Sequence, residues 1–193
     1  MKKKVLLVSL LVALLAVVIV GSSLAYFTAN DEKKNTFTVG NVKIEIVEEK
    51  WDEAVEAEEN KDMYPGQTID KDPVVNNIGK NPAFIRVSVS DLDQFGENAM
   101  ITYATSGVEG KLGEGWVDGN DGFFYFTKAV DPEAGTTALF ETITIPASLE
   151  NDTTTKDVVV KAYAVQAQGI EAADPANPTL AELQAWFATI MGE

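Results

Sequence analysis

The side chains that most often carry out protein chemistry are missing from this chain of 193 residues, which has no cysteine and no histidine. That removes thiolate nucleophiles, imidazole bases, the Ser-His-Asp triad and zinc sites built from thiols or imidazoles. Carboxylates, lysines, tyrosines and hydroxyls remain. Acids are abundant, 30 Asp plus Glu against 15 Lys plus Arg, and the close pairs are Asp91 with Asp93 and Asp118 with Asp121. A glycosidase needs two acids held about 5 to 10 Å apart in an aromatic-lined cleft. No spacing here singles out such a pair, and a solvated acidic face accounts for them better. Asp118-Gly119-Asn120-Asp121-Gly122 sets oxygens at alternate positions as a calcium loop does, but its twelfth position is Ala129, where a bidentate acid is needed. A hairpin turn explains the run better. No Ser-x-x-Lys pair stands ahead of a helical pattern and no Gly-x-Ser-x-Gly elbow occurs. Gly107 to Gly115 lacks the Gly-Lys-Ser/Thr ending of a nucleotide loop and reads as a flexible loop. The expectation is no catalytic residue, no metal and no cofactor.

The net charge of −15 argues against nucleic acid as a partner, because phosphate recognition rests on Lys and Arg. Part of the 46% hydrophobic content is not core. Lys2, Lys3 and Lys4 precede an apolar run from Val5 to Val20, broken only by Ser9, and then come Gly21, Ser22, Ser23, Leu24 and Ala25. This reads as a signal helix over 1–25, with Ser23 and Ala25 as the small-x-small pair and cleavage ahead of Tyr26. A retained anchor is the alternative, since the run nearly suffices to cross a bilayer. The immediate small-residue exit and the lack of a basic stop-transfer cluster favour cleavage. Contact with a membrane is then expected only through the uncleaved signal. Losing the three leader lysines takes the net charge from −15 to −18. Without cysteine, an exported chain cannot rely on disulfides.

Beyond the leader, the pattern has the two-residue period of strands. Phe37, Val39, Val42, Ile44 and Ile46 alternate with polar residues around a Gly40-Asn41 break. Further strands are predicted at Phe84 to Val89, Ile101 to Ala104, Phe123 to Thr127, Leu139 to Ile145 and Val158 to Ala167. In the last, Val158, Val160, Ala162 and Ala164 share one face while Val159, Tyr163 and Val165 share the other, so both faces look largely buried. The Asp118 to Gly122 run joins Trp116-Val117 to Phe123-Phe126 as a hairpin. Pro65-Gly66 and Asn76 to Pro82 are breaks. About seven short strands with such turns imply an all-β fold, an antiparallel β-sandwich of Greek-key or jelly-roll kind with a few short helices. Glu48 to Asp62, rich in acid and Ala, is either a short surface helix or a mobile loop. Thr179 and Glu182 form a capping box ahead of a helix in which Leu180, Leu183, Trp186 or Phe187, and Ile190 share a face. That helix either packs on the sandwich or docks a partner.

Several words of the sequence resemble one family. The leader ends Ser-Leu-Ala and is followed by Tyr26-Phe27-Thr28, then by Asn35-Thr36-Phe37-Thr38-Val39-Gly40-Asn41-Val42-Lys43-Ile44. Further along come Met63-Tyr64-Pro65-Gly66-Gln67, Lys71-Asp72-Pro73-Val74-Val75-Asn76-Asn77-Ile78-Gly79, Ala83-Phe84-Ile85-Arg86-Val87 and Val160 to Gly169. These resemble the TasA and camelysin (CalY) family of Gram-positive bacteria, whose leaders are removed by the signal peptidase SipW. The resemblance implies a jelly-roll-like sandwich over 37–193 and secretion to the matrix or cell surface. It also implies extracellular biofilm-matrix fibres made of copies of one chain, with an accessory matrix protein as a further partner. In the family, the freed N-terminal segment, here 26–36 with Tyr26, Phe27, Thr28 and Ala29 at its tip, is thought to complete the sheet of the next subunit. A strand offered to a sheet edge gains main-chain hydrogen bonds, and head-to-tail contacts that do not close propagate as a filament. Camelysin is described as a metallopeptidase, but a zinc peptidase needs imidazole ligands and this chain has none. The residues alone support two rival readings. One is a monomeric cell-surface module that binds glycan or protein, with Trp51, Tyr64 and Trp116 as candidate aromatic contacts. The other, carrying least weight, is a carboxylate-based hydrolase.

Overall fold

A computed structural model describes residues 41–93, 101–150, 156–169 and 176–192. The expected signal helix, the cleavage residues Ser23, Ala25 and Tyr26, and the segment Tyr26 to Ala29 lie outside the described residues. No helix among the described residues is long and apolar enough to cross a membrane. The chain divides into a unit over 1–38 and a unit over 39–193, and all the described residues belong to the second.

The described chain is mostly β, with ten strands and two helices. The strands are β1 (Ile44–Val47), β2 (Thr68–Asp70), β3 (Val74–Asn77), β4 (Ala83–Val89), β5 (Thr102–Thr105), β6 (Val108–Glu109), β7 (Trp116–Asp118), β8 (Phe124–Phe126), β9 (Thr142–Thr144) and β10 (Val160–Gln166). The helices are α1 (Glu49–Glu56) and α2 (Leu180–Met191). All pairings are antiparallel: β10-β4-β8-β7 form one sheet, β2-β9-β5-β6 a second, and β1-β3 a ribbon. The ribbon extends the second layer. The Thr136 amide donates to the Val75 carbonyl and the Asn77 amide to the Ala134 carbonyl, and in the stretch joining β2 to β3 the Lys71 amide donates to the Glu141 carbonyl and Pro73 accepts from the Leu139 amide, so the segment leading into β9 pairs along the whole run. Ile85 and Val87 from the first sheet meet Ile69, Ile143 and Val75 from the second layer in one buried cluster, which makes the unit a two-layer sandwich.

Alternation decides which residues form that core. On β4, Ile85 and Val87 point between the layers, while Phe84 and Arg86 point outward into a second buried cluster with Tyr125, Val165, Leu183 and Phe187. The two faces expected for β10 are present, with Val160, Ala162 and Ala164 inward and Tyr163 and Val165 outward. Both faces are covered because α2 lies over the outer one. Thr179 caps α2: its Oγ1 accepts from the Glu182 amide at 3.3 Å, and Glu182 Oε2 accepts from the Thr179 amide at 2.8 Å. Gly192, left-handed at φ 76°, ends it. Leu183 and Phe187 are buried and Trp186 stacks on Phe84 at 5.3 Å, so the helix packs on the sandwich. Ile190 was expected on this face but is 56% exposed. Phe187 is the last residue of the stripe to reach the aromatic cluster, and the final turn runs past it.

Of the two readings of Glu48 to Asp62 the helix holds, and two other expectations are corrected. Glu48 to Asp62 contains a helix, α1, whose Ala54 enters the core. Gly107 to Gly115 is not simply a flexible loop: β6 pairs with β5, and Gly107 and Gly110 take φ of 73° and 68° at its ends. Leu139 to Ile145 is a regular strand only at Thr142–Thr144. Leu139 and Phe140 are both fully buried, and two neighbours pointing inward break the alternation that a regular ladder requires.

Truncating Phe187 tests whether α2 is part of the fold. Phe187→Ala is expected to cost about 3 to 5 kcal/mol, the range for a buried aromatic, seen as a lower urea midpoint. A change within ~0.5 kcal/mol would mean that α2 is a loose appendage.

Candidate functional site

The aromatic residues weighed as contacts are not brought together. Trp116 is only 5% exposed, packs on Phe126 at 5.2 Å and donates its indole N–H to the Thr137 carbonyl at 2.9 Å. It is a core residue, since its β7 position faces between the layers. Tyr64 is 64% exposed, beside the Pro65-Gly66 turn. Trp51, on α1, is half-buried, and the Lys71 ammonium sits over its ring at 4.6 Å. One ring face is therefore occupied, and the three aromatics do not build a shared platform for a glycan.

The acids of the Asp118 to Gly122 run serve their own turn. Asp118 Oδ1 accepts from the Asn120 amide at 2.8 Å and Asp121 Oδ1 from the Phe123 amide at 3.1 Å. Asn120 and Gly122 take φ of 53° and 89°, where Asn and Gly are tolerated. A Cβ at Gly119 would lie 2.5 Å from the Tyr125 ring. The run is the hairpin between β7 and β8. Among the described residues no group of three or more Asp and Glu is placed to hold a metal ion.

The turn also clasps α2. Asp121 Oδ2 accepts from the Tyr125 hydroxyl at 2.8 Å and from the Gln184 amide group at 3.0 Å, while Gln184 also donates to the Gly119 carbonyl at 2.9 Å. Burial pushes the Asp121 carboxyl up, but the hydrogen bonds from Tyr125, Gln184 and the Phe123 amide outweigh it and hold the pKa below the ordinary 3.8. Burial and the bond to Asp121 push the Tyr125 phenol above 10.0. Tyr125 is in turn hydrogen-bonded to Arg86, whose side chain is 1% exposed. The guanidinium lies 3.8 Å from the centre of the Phe123 ring, 4.8 Å from Phe187 and 5.3 Å from Tyr163. Aromatic faces replace part of the hydration that burial removes from a cation. Sequence pattern placed Arg86 on a strand but did not signal its burial, because nothing local marks a cation as covered by a helix roughly a hundred residues later.

A cavity of about 400 Å³ opens beside α1. Its wall includes Ile101, Ile143 and Ile145, and its polar side includes Glu48, Asn60 and Lys71. Lys71 is buried and pairs with Glu48 Oε2 at 2.8 Å. Glu48 Oε1 and Asn60 Oδ1 are buried oxygens without a hydrogen-bond donor among the described residues.

Searches against family models, curated proteins and solved structures find no match for the chain.

Two measurements probe these polar groups. A carboxyl whose pKa is lowered by folding adds stability that is complete above its unfolded value and lost as pH falls through the folded one. Asp121→Asn is therefore expected to lower the Tm at pH 7, with the gap to wild type closing as pH falls below ~4. A gap constant with pH would mean that the Asp121 charge does not hold the clasp. Lys71→Met leaves Glu48 partly buried without its cation and is expected to cost about 3 kcal/mol. Adding Glu48→Gln should recover most of the loss, and a double variant no more stable than the single one would refute the pairing.

Proposed function

We propose that the chain is an exported, non-enzymatic structural subunit with a jelly-roll-like sandwich. Signal removal ahead of Tyr26 frees an N-terminal segment that pairs with the sheet of another copy, building extracellular matrix fibres. The reading joins two supports. The first is the resemblance of the leader, of Asn35 to Ile44 and of the later motifs to the TasA and camelysin family. The second, and the observation that carries it, is a two-layer antiparallel sandwich in which β10 and β1 have, among the described residues, no strand paired on their outer sides. Natural sheets commonly cover, shorten or charge such edges, because an exposed row of N–H and C=O groups templates another strand. A SipW-type peptidase and an accessory matrix protein are the further partners of this reading. The segment Tyr26-Phe27-Thr28-Ala29 has no charged side chain, and the polar stretch Asn30 to Asn35 follows it.

The test compares purified protein starting at Tyr26 with protein starting at Phe37. Fibres are expected only from the longer chain, seen by light scattering and electron microscopy. Equal assembly by both, or by neither under any salt, pH or concentration, sinks the proposal. At a net charge of −18, obtained by subtracting the three leader lysines from −15, subunits repel. Salt, acid or divalent cations should therefore speed assembly by roughly tenfold. Rates indifferent to all three would mean that the acidic surface faces away from the contacts.

A further inference from the structure

We infer that Lys71, Glu48 and Asn60 form a self-reacting group that joins the Lys71 side chain to the Asn60 side chain through an amide bond; the inference does not depend on the function proposed above. It starts from a lysine inside the fold. Lys71 is 4% exposed, and lysine is almost never so covered unless it is paired. Its Nζ lies 2.8 Å from Glu48 Oε2 and 4.6 Å from the centre of the Trp51 ring. Asp72 holds the arrangement in place. Its Oδ1 accepts from the Lys50 and Trp51 amides at 3.0 and 3.4 Å, which ties the first turn of α1 to the stretch after β2.

The third member is the amide of Asn60, in the turn after α1. Asn60 lines the same cavity as Lys71 and Glu48, with Ile101, Ile143 and Ile145 on the apolar wall. Two acceptors there, Asn60 Oδ1 and Glu48 Oε1, are buried without a hydrogen-bond donor among the described residues. A buried acceptor left unmade is costly. One proton shared between these two oxygens relieves both, and the Lys71 ammonium, bonded to the other oxygen of the same carboxylate, has that proton to give. The transfer also turns a buried charge pair into two neutral groups, which burial favours.

That single transfer arms all three groups. The Lys71 amine becomes a nucleophile, and protonated Glu48 donates to the Asn60 carbonyl oxygen and draws electrons from Cγ. Nζ attacks Cγ, so the Nζ–Cγ bond forms and the Cγ–Nδ2 bond breaks. Nδ2 leaves with one hydrogen from Nζ and takes the proton held by Glu48, departing as ammonium. Charge is conserved, Glu48 returns to its ionised form, and no oxidant or other reactant is consumed. The ion pair is the state before reaction. A chain without cysteine has no disulfide to draw on, and this bond supplies a covalent tie between the end of the α1 turn and the stretch after β2. Asp157 also lines the cavity and is the rival acyl group; its reaction with Lys71 would release water.

Intact mass of the purified chain, held for days at neutral pH, tests the bond. The chain is expected to become lighter by one ammonia. After denaturation, trypsin should fail to cut beyond Lys71, and residues 51–61 should be recovered joined to residues 62–80. Lys71→Arg, Asn60→Ala and Glu48→Gln should each keep the full calculated mass. The decisive reading is made on the unsubstituted protein, so it holds even where a variant does not fold. A chain that keeps its full mass overturns the proposal. So does loss of water, which would assign the acyl group to Asp157, and so does loss of ammonia from a chain still cut after Lys71, the mark of a succinimide. A bond that forms as fast in Glu48→Gln as in the unsubstituted chain overturns the part given to Glu48.

Discussion

Strand β4 has to be covered twice, and the rest of the unit is arranged around that requirement. Its inward side chains, Ile85 and Val87, need the second layer, and its outward ones, Phe84 and Arg86, need α2. A sheet with one wet face would have placed Arg86 in solvent. Here the helix seals it, so the cation must be satisfied by what lies within reach: three aromatic faces, the Tyr125 hydroxyl and, through that hydroxyl, Asp121. Gln184 closes the chain from the helix side. The hairpin turn, the buried cation and the terminal helix are thus one interaction. A loss at any of them is felt at the others, as expected for a polar network in a low-dielectric setting.

How much of this could be read from sequence depended on whether the determining contacts were local. The hairpin at Asp118 to Gly122, the capping box at Thr179 and the two-faced pattern of β10 are written in adjacent residues, and all three are present. The extended run carrying β2 and β3 was missed. Its inward positions are Ile69, Lys71, Pro73, Val75 and Asn77, all buried, and three of these five break the apolar alternation. Lys71 can face inward because Glu48 and Trp51 meet it. Asn77 can because its amide group donates to the Asn81 and Val130 carbonyls while its oxygen accepts from the Gly79 amide. Partners that distant leave no periodic trace. Trp116 is buried for the same kind of reason, since an aromatic that follows a glycine-rich stretch reads as exposed until the layer above it is known.

Strand β10 was legible as a strand and illegible as an edge of the described sheet. Val158 to Ala167 has the composition of a strand buried on both faces, and both faces are in fact occupied. Edge status is a different property: it depends on which strand lies next to it in the plane, and that is decided by the β3–β4 connection. Asn76 to Pro82 turns the chain from one layer into the other, held by Asn77, so that β1 stays with β3 in the second layer and does not pair with β10. A polar pin at a layer crossing thereby leaves β10, some eighty residues downstream, with no strand on its outer side among the described residues.

Strand pairing between acidic bodies raises the question of what prevents indiscriminate contacts, and charge supplies an answer within the proposed assembly. Two folded units brought edge to edge would hold a large like charge within a Debye length, about 8 to 10 Å at ordinary salt. The repulsion opposes that approach over the whole contact, not at one residue. A strand at the end of a polar linker escapes most of it. Tyr26 to Ala29 has no charged side chain beyond the new amino terminus, and Asn30 to Asn35 carries two acids against two lysines, so the segment is not repelled as the acidic bodies are. The same charge that keeps the units soluble would then select the thin, neutral partner over the broad, acidic one. The uneven distribution of charge along the chain, balanced in its side chains before Phe37 once the leader is gone and strongly acidic after it, becomes part of the pairing specificity.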